Sequence, residues 1–338
     1  MMNRILLLSL LVSLFSCGEK KSKIVRNVNS GAALGTSYHL IYLTENEPLD
    51  LQKEIDSVFN VINRSLSTYI PDSDISRINQ GDSTVVVDEM FRQVYELSRE
   101  AYLATDGYFD PTVGLLVNAW GFGPEKRIEM DSAQVQSLMS KVGFDNITLT
   151  GENRIIKSKP NMYLDFNAIA KGYSIDRLAV LMDSKGIENY LLEVGGELVA
   201  KGVNQVKQKE WVVGIDDPQV ENGRQLKLTI RLKDRALASS GNYRHFRVDE
   251  ATGKKYVHTI DPITGFTKNA NTLATTIIAE NCALADAYAT AFMAMDLDDA
   301  LKLLAEFPEL EAYIIYVDEN GETQEFMSPG FEKIVSSN

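Results

Sequence analysis

Between residues 51 and 66, Leu51, Ile55, Val58, Phe59, Ile62 and Leu66 recur at helical spacing, which predicts an amphipathic helix. The pattern returns over 89–105 with Phe91, Val94, Tyr95 and Tyr102, and closes at Gly107. A third helix is expected over 171–185, stopping at Gly186, and two more over 283–295 and 297–306. Shorter apolar runs predict strands at 36–44, 190–194, 211–215, 226–232, 256–260, 273–280 and 312–317, and residues 163–165 read as the end of another strand. Several strands follow one another with no helix between them. That order predicts an α+β fold with largely antiparallel sheets and flanking helices, not a doubly wound parallel sheet.

The first residues follow a different pattern. "MMNRILLLSLLVSLFSCGEK" places Arg4 before an apolar run from Ile5 to Phe15. The run is too short to span a bilayer, which needs about 20 residues. It fits a secretory signal peptide instead. Leu14, Phe15, Ser16 and Cys17 resemble a bacterial lipobox, in which the cysteine is lipidated and becomes the first mature residue. The expected organisation is a signal segment over 1–17, a tether over 18–30 and one domain over 31–335, held at a membrane surface by the Cys17 lipid.

Composition narrows the function. A net charge of -13 argues against nucleic acid as a partner, because phosphates are met by a basic face. Cys17 and Cys282 are the only cysteines, so an acylated Cys17 leaves no intrachain disulfide. Cys282 beside an alanine-rich helix is expected in the core. With His39, His245 and His258 as the only histidines, a structural zinc cluster is not expected. No Walker A stretch and no GxGxxG after a strand is present.

Several stretches carry candidate chemistry. Tyr69 lies in "STYIPDSDISRIN", where its ring could stack on a flat ligand. "DPTVGLLVNAWGFGPEK" reads as an ordered glycine-shaped loop, with Trp120 and Phe122 either lining a pocket or plugging the core. In "YLDFNAIAKGYSIDRL", Asp165 marks a strand–helix junction. Lys171 reads as opening the helix, where the macrodipole disfavours a cation. That mismatch fits either an anionic ligand such as phosphate or a solvated lysine. Gly195 and Gly196 end an apolar strand, and "ALASSGNYRHF" offers small polar groups and Gly241 in a turn. His258 sits on an expected strand. Asp286 and Thr290, in "ALADAYATAF", share one helix face. A carboxylate there needs either a basic partner or a cation, and Asp and Thr oxygens suit magnesium.

In this order, "LGTSY", "STYIPDSDISRIN", "DPTVG" with "WGFGP", "DFNAIAKGYSID", "VGGEL", "ASSGNYRHF", "HTIDPITG" and "ADAYATAF" resemble the motifs of the bacterial ApbE lipoproteins, over about residues 31 to 330. The resemblance implies a T-fold-related architecture of two packed halves with FAD in the cleft between them. It implies transfer of FMN from FAD to a Thr or Ser hydroxyl of an acceptor protein, with release of AMP. The implied acceptors are membrane redox subunits of the Nqr and Rnf type. It further implies FAD contacts at Leu34, Tyr69, Asn118, Ala119, Trp120, Asp165, Lys171, Ser240, His258 and Ile260. Magnesium would be held by Asp286, Thr290 and the backbone carbonyl of Ala168, with His258 taking the proton of the target hydroxyl. Glu193, Glu197 and Asn242 stand where the resemblance leads one to expect asparagine, aspartate and aspartate. The implied location is the cell envelope, lipid-anchored at the periplasmic face of the inner membrane. The competing expectations are hydrolysis of FAD to FMN and AMP, and passive flavin binding.

Overall fold

The computed structural model describes residues 22–336, with the exception of 221–224, 242–245, 249–254, 258 and 269–270. Cys17, Asn242 and His258 therefore lie outside the described residues.

The chain opens with a hairpin of β1 (Ile24–Ala33) and β2 (Thr36–Glu45), paired from Ile24 with Glu45 to Ala33 with Thr36. Residues 24–30, expected as tether, are thus a strand. Its inward positions are asparagines, which hid it from a hydrophobic pattern. Asn27 and Asn29 are buried and bond Thr44, Asp50 and Gln52. A helical stretch follows: α1 (Gln52–Leu66), α2 (Asp74–Asn79), α3 (Glu89–Ala104), α4 (Gly114–Trp120) and α5 (Ser132–Met139). Asp88 caps α3, accepting from the Phe91 amide at 2.8 Å, and Ser73 caps α2, accepting from the Ser76 amide at 3.1 Å.

After a small hairpin of β3 (Ile147–Leu149) and β4 (Ile155–Lys157) comes α6 (Asn167–Ser184). Next are the hairpins of β5 (Tyr190–Val194) with β6 (Glu197–Lys201) and β7 (Trp211–Asp216) with β8 (Leu226–Leu232), then β9 (Arg235–Gly241). β10 (Phe246–Val248) pairs with β11 (Lys255–Val257), and β12 (Thr272–Ala279) leads into α7 (Cys282–Ala294) and α8 (Leu297–Glu306). β13 (Glu311–Val317), β14 (Thr323–Met327) and α9 (Pro329–Ile334) close the chain.

Eight strands form the main sheet in the order β1-β2-β5-β6-β9-β12-β13-β14. Every neighbouring pair in it is antiparallel. The strand periodicity of two sorts the core. Ala238, Ile277, Ala312 and Ile314 face one side, with Ala285, Ala289 and Phe292 of α7. Leu237, Ile278, Tyr313 and Ile315 face the other, with Trp211, Val213 and Ile230 of the β7–β8 hairpin and Phe331 of α9. Helices cover one face and a hairpin with a short helix covers the other.

The structure corrects four further expectations. Residues 236–241 are a central strand, not a turn, because their small side chains let α7 pack closely on the sheet between β6 and β12. Residues 114–120, expected as loop, are the helix α4, ended by Gly121 at φ 86°. Residues 163–165 are not a strand. Their backbone bonds go to the Asn79 side chain, through the Leu164 amide at 2.8 Å, and to the Pro111 carbonyl, from the Asp165 amide at 2.8 Å. Finally, α6 starts at Asn167, four residues before the expected start, so Lys171 lies inside the helix.

Where α6 crosses α7 there is no room for a side chain. A Cβ on Gly172 would collide with the Cys282 carbonyl and stand 2.9 Å from the Ala283 amide nitrogen. Because both obstacles are backbone, Gly172→Ala must push the helices apart. Overpacking of this kind costs about 1–3 kcal/mol. Denaturant melts are expected to show a loss in that range; a neutral Gly172→Ala would contradict the tight crossing.

Candidate functional site

The α6–α7 crossing brings together residues more than a hundred positions apart. The Lys171 ammonium bonds Oε1 of Glu197 and lies 3.8 Å from Oδ1 of Asp286. Both carboxylates are deeply buried, each 2% exposed. The other Asp286 oxygen, Oδ2, accepts the Gly172 amide at 3.2 Å. In an uninterrupted helix that amide points at the carbonyl four residues back, which here is Ala168. Asp286 and the Ala168 carbonyl therefore converge on one place, and Thr290 follows Asp286 by one helical turn. Lys171 is thus neither a helix-opening cation nor a solvated one. It is paired with two carboxylates.

Burial works against the charge on Lys171, but Asp286 and Glu197 outweigh it and hold the ammonium above its ordinary value. Burial pushes the Glu197 carboxyl up to about 7, with the Lys171 ammonium pulling the other way. Oε2 of Glu197 is buried and has no hydrogen-bond partner among the described residues. Two carboxylates against one ammonium leave negative charge to be met from outside. Hard oxygen donors of the kind Asp286 and Thr290 carry fit magnesium. Asp286, Thr290 and the Ala168 carbonyl would hold the ion.

Two glycine-bearing turns lie side by side near this cluster. The β1–β2 turn holds Leu34 at φ 52° and Gly35 at φ 73°, and the β5–β6 turn holds Gly195 at φ 64° and Gly196 at φ 102°. The Gly195 amide bonds the Ser37 carbonyl at 2.9 Å, which ties the turns together. Leu34 packs against both helical core clusters. Ser240 lies opposite Thr275 on the sheet face toward α7, and the Thr275 hydroxyl bonds the Ala289 carbonyl at 2.8 Å, next to Thr290.

A second group surrounds Asp165. Burial raises its carboxyl to about 6, against hydrogen bonds from Asn167. Burial, and after it the Asp165 charge, raises the Tyr69 hydroxyl. Tyr69 is 61% exposed on the loop between α1 and α2, free to stack on a planar ring. Gly114 fits between Tyr163 and Asp165, where a Cβ would collide with the Tyr163 ring.

Asn118, Ala119 and Trp120 form the last turn of α4, all buried. Nδ2 of Asn118 has no acceptor among the described residues, leaving a donor for a ligand. Trp120 is a core plug rather than an open platform. It is 6% exposed, donates from Nε1 to the Gly265 carbonyl at 3.0 Å, and packs in one cluster with Ile260, Leu116, Val135 and Val142. The structure thus describes every expected site residue except Cys17 and His258.

Three positioning residues escaped the sequence reading. Asn79 holds the 163–165 segment by accepting from the Leu164 amide and donating to its carbonyl. Asp176 accepts the Cys282 and Ala283 amides at 2.8 and 2.9 Å and so fixes the start of α7. Glu197 looked like a minor departure in a familiar motif. Its signal was a glutamate directly after two glycines, ahead of the apolar run Leu198, Val199 and Ala200.

Comparison with known proteins finds relatives over most of the chain. The model of the ApbE family matches residues 34–314. An FAD:protein FMN transferase of Vibrio cholerae is 35% identical, over 99% of this chain and 100% of its own length. That of Haemophilus influenzae is 34% identical, over 94% and 93%. The solved flavin transferase ApbE from Vibrio cholerae superposes with a TM-score of 0.81 at 32% identity, covering 93% of this chain and 99% of that one.

The Asp176 contact generates a pH test. Burial raises its carboxyl to about 6, above an unfolded value near 4, although both amides lower it. The folded chain then binds this proton more tightly than the unfolded one. The contribution is full below about pH 4 and is lost as pH rises through about 6. Asp176→Asn removes the titration and keeps one acceptor. Relative to wild type, the variant is expected to gain up to about 3 kcal/mol between about pH 4 and 7.5 in denaturant melts. A difference independent of pH would contradict burial as the cause.

Proposed function

The chain belongs to the ApbE family, an enzyme family of FAD:protein FMN transferases, and from that premise we propose how its own residues carry the transfer. A target Thr or Ser hydroxyl attacks the FMN-side phosphorus of FAD. The new phosphoester bond forms as the pyrophosphate bond breaks and AMP leaves. Such a reaction asks a protein mainly for positioning and for neutralisation of charge on phosphoryl oxygens.

The observation that carries this reading is the Lys171 ammonium held between Glu197 and Asp286 beneath the two glycine turns. There it can meet a pyrophosphate oxygen. Nδ2 of Asn118 offers a further donor, and Tyr69 an exposed ring for the isoalloxazine or adenine face. Leu34, Asp165, Ser240 and Ile260 complete the FAD contacts in this proposal. Magnesium at Asp286, Thr290 and the Ala168 carbonyl would supply Lewis-acid stabilisation of the phosphoryl charge. Asp286 holds that position open by accepting the Gly172 amide with Oδ2, which fixes the carboxylate. In this scheme His258 takes the hydroxyl proton, the role for which imidazole is the usual side chain near neutral pH.

The acceptor we propose is a membrane redox subunit of the Nqr or Rnf type. Lipidation of Cys17 would hold the domain at the periplasmic face of the inner membrane, close to such a partner. No helix among the described residues is long and apolar enough to cross a membrane.

The assay incubates the enzyme with FAD, magnesium and a purified acceptor subunit, and reads the acceptor by intact mass. Wild type is expected to add one FMN phosphoester and release AMP. Asp286→Ala is expected to slow this by about 100-fold or more, the scale of losing one stabiliser of transition-state charge. An unmodified acceptor with steady FMN release would identify an FAD hydrolase instead. Wild-type rates in Asp286→Ala would remove the carboxylate from the mechanism.

A further inference from the structure

Glu197 is a charged side chain buried in the site, yet no role in the reaction falls to it above. One oxygen bonds the Lys171 ammonium, and the other is buried without a partner among the described residues. Lys171 also stands 3.8 Å from Asp286, the carboxylate assigned to the cation. An ammonium and a divalent ion compete for the same carboxylate, since both are attracted by its charge and repel each other. Something must draw the lysine aside when the ion binds.

We propose that Glu197 is the positioning residue that does this: it anchors the Lys171 ammonium away from Asp286 and so keeps Asp286 available to a divalent cation. The shared contact already favours Glu197, which is bonded, over Asp286, which is only near. The free Oε2 supplies what the displaced ammonium needs. Lys171 has three donors and can turn onto both Glu197 oxygens when it leaves Asp286. The otherwise costly orphan acceptor is then satisfied in the cation-bound state.

The place is fixed by backbone rather than by a mobile loop. Glu197 is the first residue of β6, directly after the Gly195 and Gly196 turn, and pairs with Val194. A Cβ at Gly195 would stand 3.2 Å from Oε2, so the turn lies against the carboxylate. Without Glu197, the ammonium would have Asp286 as its remaining anionic partner in this cluster. It would collapse onto that carboxylate and neutralise it.

This inference rests on the cation reading given above, and its test separates the two. Mn²⁺ is titrated into metal-free protein, and free Mn²⁺ is followed by electron paramagnetic resonance, without turnover. Wild type, Glu197→Gln, Lys171→Met and the double variant are compared, with folding checked by near-UV circular dichroism. Glu197→Gln is expected to weaken Mn²⁺ binding about tenfold or more. Lys171→Met, which removes the competitor, is expected to tighten it several-fold even if Glu197→Gln fails to fold. In the Lys171→Met background, Glu197→Gln is expected to change little. Wild-type affinity in Glu197→Gln, or no tightening in Lys171→Met, overturns the proposal. An equal loss in both backgrounds overturns the positioning role and makes Glu197 a direct partner of the ion. Absence of binding in wild type overturns the cation reading and takes this inference with it.

Discussion

Much of this molecule depends on one close approach, that of α6 to α7 at Gly172. Because the glycine lets the helix backbone lie against the Cys282 carbonyl, the Gly172 amide reaches the Asp286 carboxylate at 3.2 Å. Any larger residue would hold the helices apart and break this contact. The approach is secured from the other side by Asp176, one turn further along α6, whose carboxylate caps the first amides of α7. Packing and polar contacts thus fix the same geometry twice. The alanines of α7 serve it as well, by letting that helix sit tightly on β9 and β12.

The consequence is electrostatic. Two buried carboxylates and one ammonium form a cluster that is incomplete by itself. A buried ion pair earns little stability once desolvation is counted. This one leaves an acceptor unfilled, which a protein selected for stability alone would not need. Under the proposed function the cluster receives a cation and a polyphosphate, whose charges complement each other and the site. Its neighbours are suited to the remaining parts of such a ligand. Tyr69 is exposed and Asn118 has a spare donor among the described residues, whereas Trp120 is committed to the core.

The fold was legible where side chains alternate cleanly. The amphipathic helices α1 and α3 and the strands β2, β5, β8 and β13 fall within a residue of their expected places. Hydrophobic periodicity failed where polar or small residues occupy buried positions. Asn27 and Asn29 disguised β1, and the run from Ala236 to Ser240 disguised β9. The start of α6 was misplaced because Lys171 and Gly172 look like a helix opening, whereas the helix already runs from Asn167. The pair of Asp286 with Thr290 could be read from spacing along one helix. The role of Glu197 could not, because it arises from a contact between a strand end and a helix that only the sheet topology creates. The choice of partner for Asp286 was open in the sequence. In the structure a nearby cation is Lys171, at 3.8 Å.

The central claim is that Asp286 gives up its ammonium neighbour to a divalent ion that meets the FAD pyrophosphate. Anomalous diffraction from crystals grown with FAD and Mn²⁺ tests it most directly. The account requires an anomalous peak bound to the Asp286 carboxylate and the Ala168 carbonyl, with FAD phosphate oxygens on the same ion and Lys171 moved onto Glu197. A bound FAD with Lys171 still against Asp286 and no peak between them would contradict it.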